Sequence, residues 1–157
     1  MLFCTALVPL AHILATGFFI GYLPASGTVA TLLLGIPAVL LWHRYVPVLL
    51  RGFIGLALMT LVALIITHGA LPCFEGIADP SAIVIDEVIG LLWTFWGRKV
   101  DRTNLLIGVV AFRFFDITKW GLVGASELLP GAIGIVVDDV VAGLFANLTI
   151  WGLRPWK

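Results

Sequence analysis

Charge is what this 157-residue chain has least of: Asp, Glu, Lys and Arg together make up 11% of it, against about 25% in soluble domains. That scarcity excludes a water-facing surface of ordinary extent. Nine acids balance nine bases, so the basic excess that nucleic-acid binding needs is absent. Cysteine is scarce as well. Cys4 and Cys73 are the only two, which excludes a disulfide framework and any cysteine metal spacing. Both read as buried packing thiols. The three histidines, His12, His43 and His68, stand apart, so no Ser-His-Asp or Cys-His arrangement is legible. His12 reads as a packing residue rather than a ligand. The N-terminus lacks the basic n-region of a signal peptide and reads as mature chain.

Apolar residues fill the space that charge leaves. They make up 61% of the chain, and mean hydropathy is +1.14, a membrane composition. Apolar stretches cover residues 2–20, 29–42, 52–67, 83–97, 104–120 and 135–153. They predict an all-α, membrane-embedded bundle of about six helices, forming one domain over 1–157. A spanning helix needs about 20 apolar residues. By that measure 29–42 is short and 52–67 marginal. Gly17 and Gly21 form a small-xxx-small pair that permits close helix approach. Residues 69–81 read as a loop, and 121–134, rich in Gly and with Pro130, as a flexible link. Bases cluster at 44–51, 98–102 and 154–157, but the short runs leave the topology unassigned.

The few charges are placed oddly. Asp86-Glu87 and Asp138-Asp139 each interrupt an apolar run, Ile83–Leu91 and Ile135–Leu144. One Asp before a hydrophobic helix is an ordinary N-cap, but a cap has no use for the second acid. Burying carboxylates costs several kcal/mol each unless something neutralises them, so the doubled pairs predict a shared cation. Asp116 is a fifth acid in an apolar helix. Carboxylate oxygens without His or Cys suit magnesium. Arg113, Asp116 and Lys119 recur at i, i+3, i+6 and share one helix face. They form either a salt-bridge ladder or a phosphate clamp. Ser26-Gly27-Thr28, opening the run at 29, offers hydroxyls and free N–H groups at a helix start, an ordinary cap or an anion site. Metal-binding acids, phosphate-binding bases and a membrane setting together point to a lipid phosphate substrate. A metal there polarises the phosphoryl group and activates water, and a carboxylate not bound to it takes the proton.

These motifs carry a resemblance to a known family. The Gly27-Thr28 turn, Asp86-Glu87-x-x-Gly90, Phe112-Arg113-x-x-Asp116-x-x-Lys119 and Gly134-Ile135-x-x-Asp138-Asp139-x-x-Ala142-Gly143 together resemble the phosphatidylglycerophosphatase A family, from about Gly17 to Leu148. The resemblance implies a magnesium-dependent phosphatase that converts phosphatidylglycerophosphate to phosphatidylglycerol. It also implies an all-helical bundle with one helix surrounded by others. Its setting would be the bacterial cytoplasmic membrane, with the active site at the cytoplasmic face. Asp86, Glu87, Asp116, Asp138 and Asp139 are then the catalytic acids, with Asp86, Glu87, Asp138 and Asp139 on the metal. Ser26, Gly27, Thr28, Arg113 and Lys119 are expected to bind the phosphate. The chain departs from the family pattern at Ser26, at Ala30-Thr31 and at Trp120, where the family has Pro, Gly-Ser and Pro. Glu127 stands near where relatives place an acid, and one residue is missing before Asp138.

Other readings compete. Intramembrane acids also mark proton or cation pathways, so a transport protein is the alternative. A histidine-dependent lipid phosphatase would need a paired His near the bases, and a non-catalytic scaffold leaves the doubled acids without a purpose.

Overall fold

The computed structural model describes residues 4–74 and 80–153. Among them there are seven helices and no strand. They are α1 (Cys4–Ala15), α2 (Ser26–Tyr45), α3 (Phe53–Ala70), α4 (Ile85–Thr94), α5 (Arg102–Thr118), α6 (Leu122–Glu127) and α7 (Ala132–Leu153). Short 3-10 turns lie at Ile20–Tyr22 and Leu71–Phe74. Glu75, Asp79, Arg154 and Lys157, and the side chains of Cys4 and Glu127, lie outside the described residues.

The helices run longer than the apolar runs suggested. Ser26–Tyr45, Phe53–Phe74 and Ala132–Leu153 are each long and apolar enough to cross a membrane. The run at 29–42 gains its length from Ser26–Thr28 before it and His43–Tyr45 after it. A π turn at Thr31–Gly35 precedes Pro37 within α2. The ring lacks an N–H and crowds the preceding turn, so a widened turn is where the helix absorbs it. The stretch at 2–20 is helical only to Ala15. Positive φ at Gly17, Phe18 and Phe19 then turns the chain. Gly21 approaches the Ala82 carbonyl, a loop rather than a second helix. The expected link at 121–134 contains α6, which raises the helix number from six to seven.

α7 lies at the centre, packed against α3, α4, α5 and α6. Its partner α4 has eight of its ten residues buried. The two run parallel. A Cβ on Gly90 would come 2.6 Å from the Asp139 carbonyl, and one on Gly143 would overlap the Gly90 carbonyl, so the backbones touch at this crossing. Further along, Asn147 on α7 donates to the carbonyls of Thr94 (2.9 Å) and Trp96 (2.8 Å), while its Oδ1 accepts from Arg98. An amide buried in a long apolar helix thus supplies the hydrogen bonds that the end of α4 lacks. This register brings Asp86-Glu87 level with Asp138-Asp139.

One smaller expectation changes and another holds. Cys73 is exposed rather than buried. His12 packs among Phe19, Tyr22 and Phe74, with Nε2 2.6 Å from the Tyr22 hydroxyl.

Candidate active site

One cavity of about 450 Å³ receives every residue that the sequence singled out for chemistry. Ser26, Gly27 and Thr28 reach it from the first turn of α2, and Asp86 and Glu87 from the first turn of α4. Arg113 and Asp116 come from the last two turns of α5, with Lys119 just past its end. Asp138 and Asp139 come from the second turn of α7. The second acid pair therefore caps nothing: α7 begins at Ala132, six residues before Asp138.

All five carboxylates are buried, and two bases face them. Arg113 pairs with Glu87 and, at 2.8 Å, with Asp116. Lys119 lies 3.1 Å from Asp116 and 2.5 Å from Asp138. Among the described residues Asp86 and Asp139 pair with no base. Asp86 Oδ1 and Asp138 Oδ1 each accept from the amide of the next residue, Glu87 and Asp139, at 2.9 and 2.8 Å. Burial first, then the adjacent Glu87 charge, pushes the Asp86 carboxyl well above the usual carboxylate range. Burial works against the Lys119 charge. The hydrogen bond to Asp138 and the charges of Asp116, Asp138 and Asp139 outweigh it and raise the ammonium pKa.

The backbone is shaped around these charges. Lys119 is left-handed (φ 49°), at a cost of about 1–2 kcal/mol for a side-chain-bearing residue. That turn sends the ammonium back into the cavity, where its two ion pairs hold it. Ala25, also left-handed (φ 54°), sets the start of α2 in the cavity wall. At Gly27 an added Cβ would overlap Glu87 Oε1 and come 2.9 Å from the Arg113 guanidinium. Only glycine lets that ion pair lie against the helix start. The Ser26 hydroxyl donates to the Ser81 carbonyl (2.7 Å), tying α2 to the segment before α4.

Sequence reasoning left Thr31 out of the site. Its hydroxyl lies 2.7 Å from the Gly27 carbonyl and 3.1 Å from Glu87 Oε2. The signal was its position one turn after Gly27. Pro80, Ser81 and Ile117 also line the cavity and carried no sequence signal.

The donor set fits a hard cation. Asp116, Asp138 and Asp139 each offer an oxygen within 4.8 Å of the others, and carboxylates alone suit magnesium. Glu87 is engaged by Arg113 and Thr31, which favours a role in holding Arg113 over one on a metal.

Comparison with known proteins identifies the family. The family model for phosphatidylglycerophosphatase A matches residues 13–154. A Haemophilus influenzae phosphatidylglycerophosphatase A is 29% identical, the match covering 92% of this chain and 89% of that protein. The Escherichia coli (K12) phosphatidylglycerophosphatase A is 31% identical, with 86% and 78% covered. A Bacteroides thetaiotaomicron protein provisionally named a phosphatidylinositol-3-phosphatase is 32% identical, with 88% and 89% covered. No solved structure gives a significant match. With the model matched over nearly its whole length, this chain belongs to the phosphatidylglycerophosphatase A family.

Proposed function

We propose that the protein is a magnesium-dependent lipid phosphatase that hydrolyses the terminal phosphate of phosphatidylglycerophosphate to give phosphatidylglycerol and phosphate. One observation carries the reading. Five buried carboxylates share a cavity with only two bases, and among the described residues two of the five, Asp86 and Asp139, form no ion pair. Unmatched buried carboxylates cost several kcal/mol each, so the site is built for added positive charge. The family and the names of two relatives supply the substrate.

Asp116, Asp138 and Asp139, whose oxygens lie close together, would hold the magnesium, with Asp86 from the same cavity as the proposed fourth ligand; the ion would supply Lewis-acid polarisation of the phosphoryl group and lower the pKa of water. The protein's own groups do the rest. Arg113 and Lys119 grip the phosphate oxygens, Arg113 by its planar fork and Lys119 as a point charge. The first turn of α2 adds the positive end of a helix dipole. Glu87 and Thr31 fix the guanidinium in direction. A cavity carboxylate takes a proton from the attacking water as the water oxygen bonds to phosphorus and the ester P–O bond breaks, and the carboxyl so formed returns the proton to the released alkoxide of phosphatidylglycerol. An ion conduit would have no use for the two bases and the glycine turn.

The protein resides, in this reading, in the bacterial cytoplasmic membrane. The family resemblance favours a cavity at its cytoplasmic face. The bases argue for the other face: Arg44, Arg51, Arg98, Lys99 and Arg102 lie toward the helix ends remote from the cavity, and such clusters favour the cytoplasm. Labelling a Ser81→Cys protein, with Cys4 and Cys73 replaced by Ala, with a membrane-impermeant thiol reagent applied to each side in turn decides between them.

The activity test is phosphate release from phosphatidylglycerophosphate by the purified protein in detergent with magnesium. Release of inorganic phosphate and phosphatidylglycerol is expected. No release by the folded protein would overturn the reading.

A further inference from the structure

Three large apolar side chains line the cavity, Ile83, Ile117 and Ile135. Ile83 and Ile135 are buried, whereas Ile117 is 67% exposed. It belongs both to the cavity wall and to the outer surface of the bundle. On α5 it ends a stripe of exposed apolar residues, Leu106, Val110, Phe114 and Ile117, spaced 4, 4 and 3 apart and so on one helix face. Arg113 and Asp116, on the neighbouring face, point into the cavity. Eleven residues of helix separate the ends of the stripe, about 16 Å of rise. That matches the hydrocarbon depth of one leaflet, about 15 Å. Just beyond Ile117, Lys119 turns inward while Trp120 and Leu122 stay exposed.

We propose that Ile117 is the sill over which the lipid substrate enters from the bilayer, and that one of its acyl chains lies along Phe114, Val110 and Leu106 while its phosphate occupies the cavity. The proposal rests on the lipid-phosphatase reading and adds the surface that recognises the tail. Exposed apolar surface is ordinary in a membrane protein, and α2 and α3 carry plenty of it. The stripe on α5 differs in being continuous with the wall of a charged cavity. An amphiphile with an anionic phosphate head and an apolar tail matches both halves at once. A soluble phosphate ester would match only the cavity.

The test compares two substrates, long-chain phosphatidylglycerophosphate in mixed micelles and its dihexanoyl form below its micelle concentration. Ile117→Ala and Phe114→Ala should each raise KM for the long-chain substrate by roughly fivefold to tenfold, since buried methylenes are lost. Phe114→Ala, at a residue outside the cavity lining, should leave the dihexanoyl KM within about twofold. Ile65→Ala, on an equally exposed face of α3, should change neither. Equal losses on both substrates for Phe114→Ala, or no loss on the long-chain one, would overturn the proposal. A second arm does not depend on turnover. A benzophenone side chain at position 117, in liposomes of phosphatidylcholine with a minor share of phosphatidylglycerophosphate, should crosslink the latter above its share, and at position 65 only at its share. Crosslinking at 117 that merely follows bulk composition would also overturn it. Absence of turnover by the unmutated protein, with enrichment at 117 intact, would count against the phosphatase reading instead.

Discussion

The two acid pairs are nearly the same in sequence, Ile-Asp-Glu-Val and Val-Asp-Asp-Val, yet their environments are crossed. In the first pair the second acid is matched: Glu87 meets Arg113 and Thr31, and Asp86 meets no base. In the second pair the first acid is matched: Asp138 meets Lys119, and Asp139 meets no base. The crossing follows from the parallel packing of α4 and α7, which sets the pairs face to face, while α5 delivers both bases from one side. Within the shared cavity each pair therefore has one carboxylate ion-paired with a base and one that is not. Equal wording does not mean equal work. The unmatched members are assigned to the cation and the matched ones to orienting the bases, with Asp138, also close to Asp116 and Asp139, serving both.

The largest effect should come from the unmatched acids. Asp139→Asn keeps the side-chain shape and removes the charge, and should lower kcat by about 1,000-fold or more while the protein stays folded. Asp86→Asn should behave alike. Phosphate-release kinetics together with thermal unfolding check both. Near-normal kcat in either variant would break the comparison, and a variant that cannot be purified folded would make that acid structural.

A smaller effect is expected at the bases. Lys119→Ala should lower kcat/KM by about 10–100-fold with magnesium affinity little changed, because the lysine acts on the phosphate. Titrating substrate and magnesium separately sharpens the assignment. An unchanged kcat/KM would reduce Arg113, Asp116 and Lys119 to a structural ladder.

The smallest effect belongs to the matched acid of the first pair. Glu87→Gln retains a hydrogen-bond acceptor for Arg113 and loses only the charge, so kcat/KM should fall by about tenfold, well short of Asp86→Asn. Equal losses for the two neighbours would erase the distinction between matched and unmatched acids.

Much of this was legible in the sequence for a physical reason. Carboxylates inside apolar runs are so costly that their doubling already pointed to one shared pocket, and the i, i+3, i+6 spacing already put the bases and Asp116 on one face. Helix limits were less legible. Hydropathy stops at Val29 and Trp42, but the helix continues through Ser26 and Tyr45 because hydroxyls and interfacial polar groups are tolerated at its ends. The glycines between 121 and 134 hid α6, which is held by tertiary packing against α7 rather than by propensity. The crossed matching was not legible at all. It depends on the register of α4 against α7, and Asn147, Gly90 and Gly143 set that register across more than fifty residues of sequence.

The account stands on one cation shared between the two pairs, and magnesium binding by the purified protein and its variants tests this most directly. By isothermal calorimetry, Asp86→Asn and Asp139→Asn should each weaken binding by about tenfold or more, although they lie on different helices, while Glu87→Gln should bind much as the unmutated protein does. Wild-type affinity in either the Asp86 or the Asp139 variant would contradict a shared site.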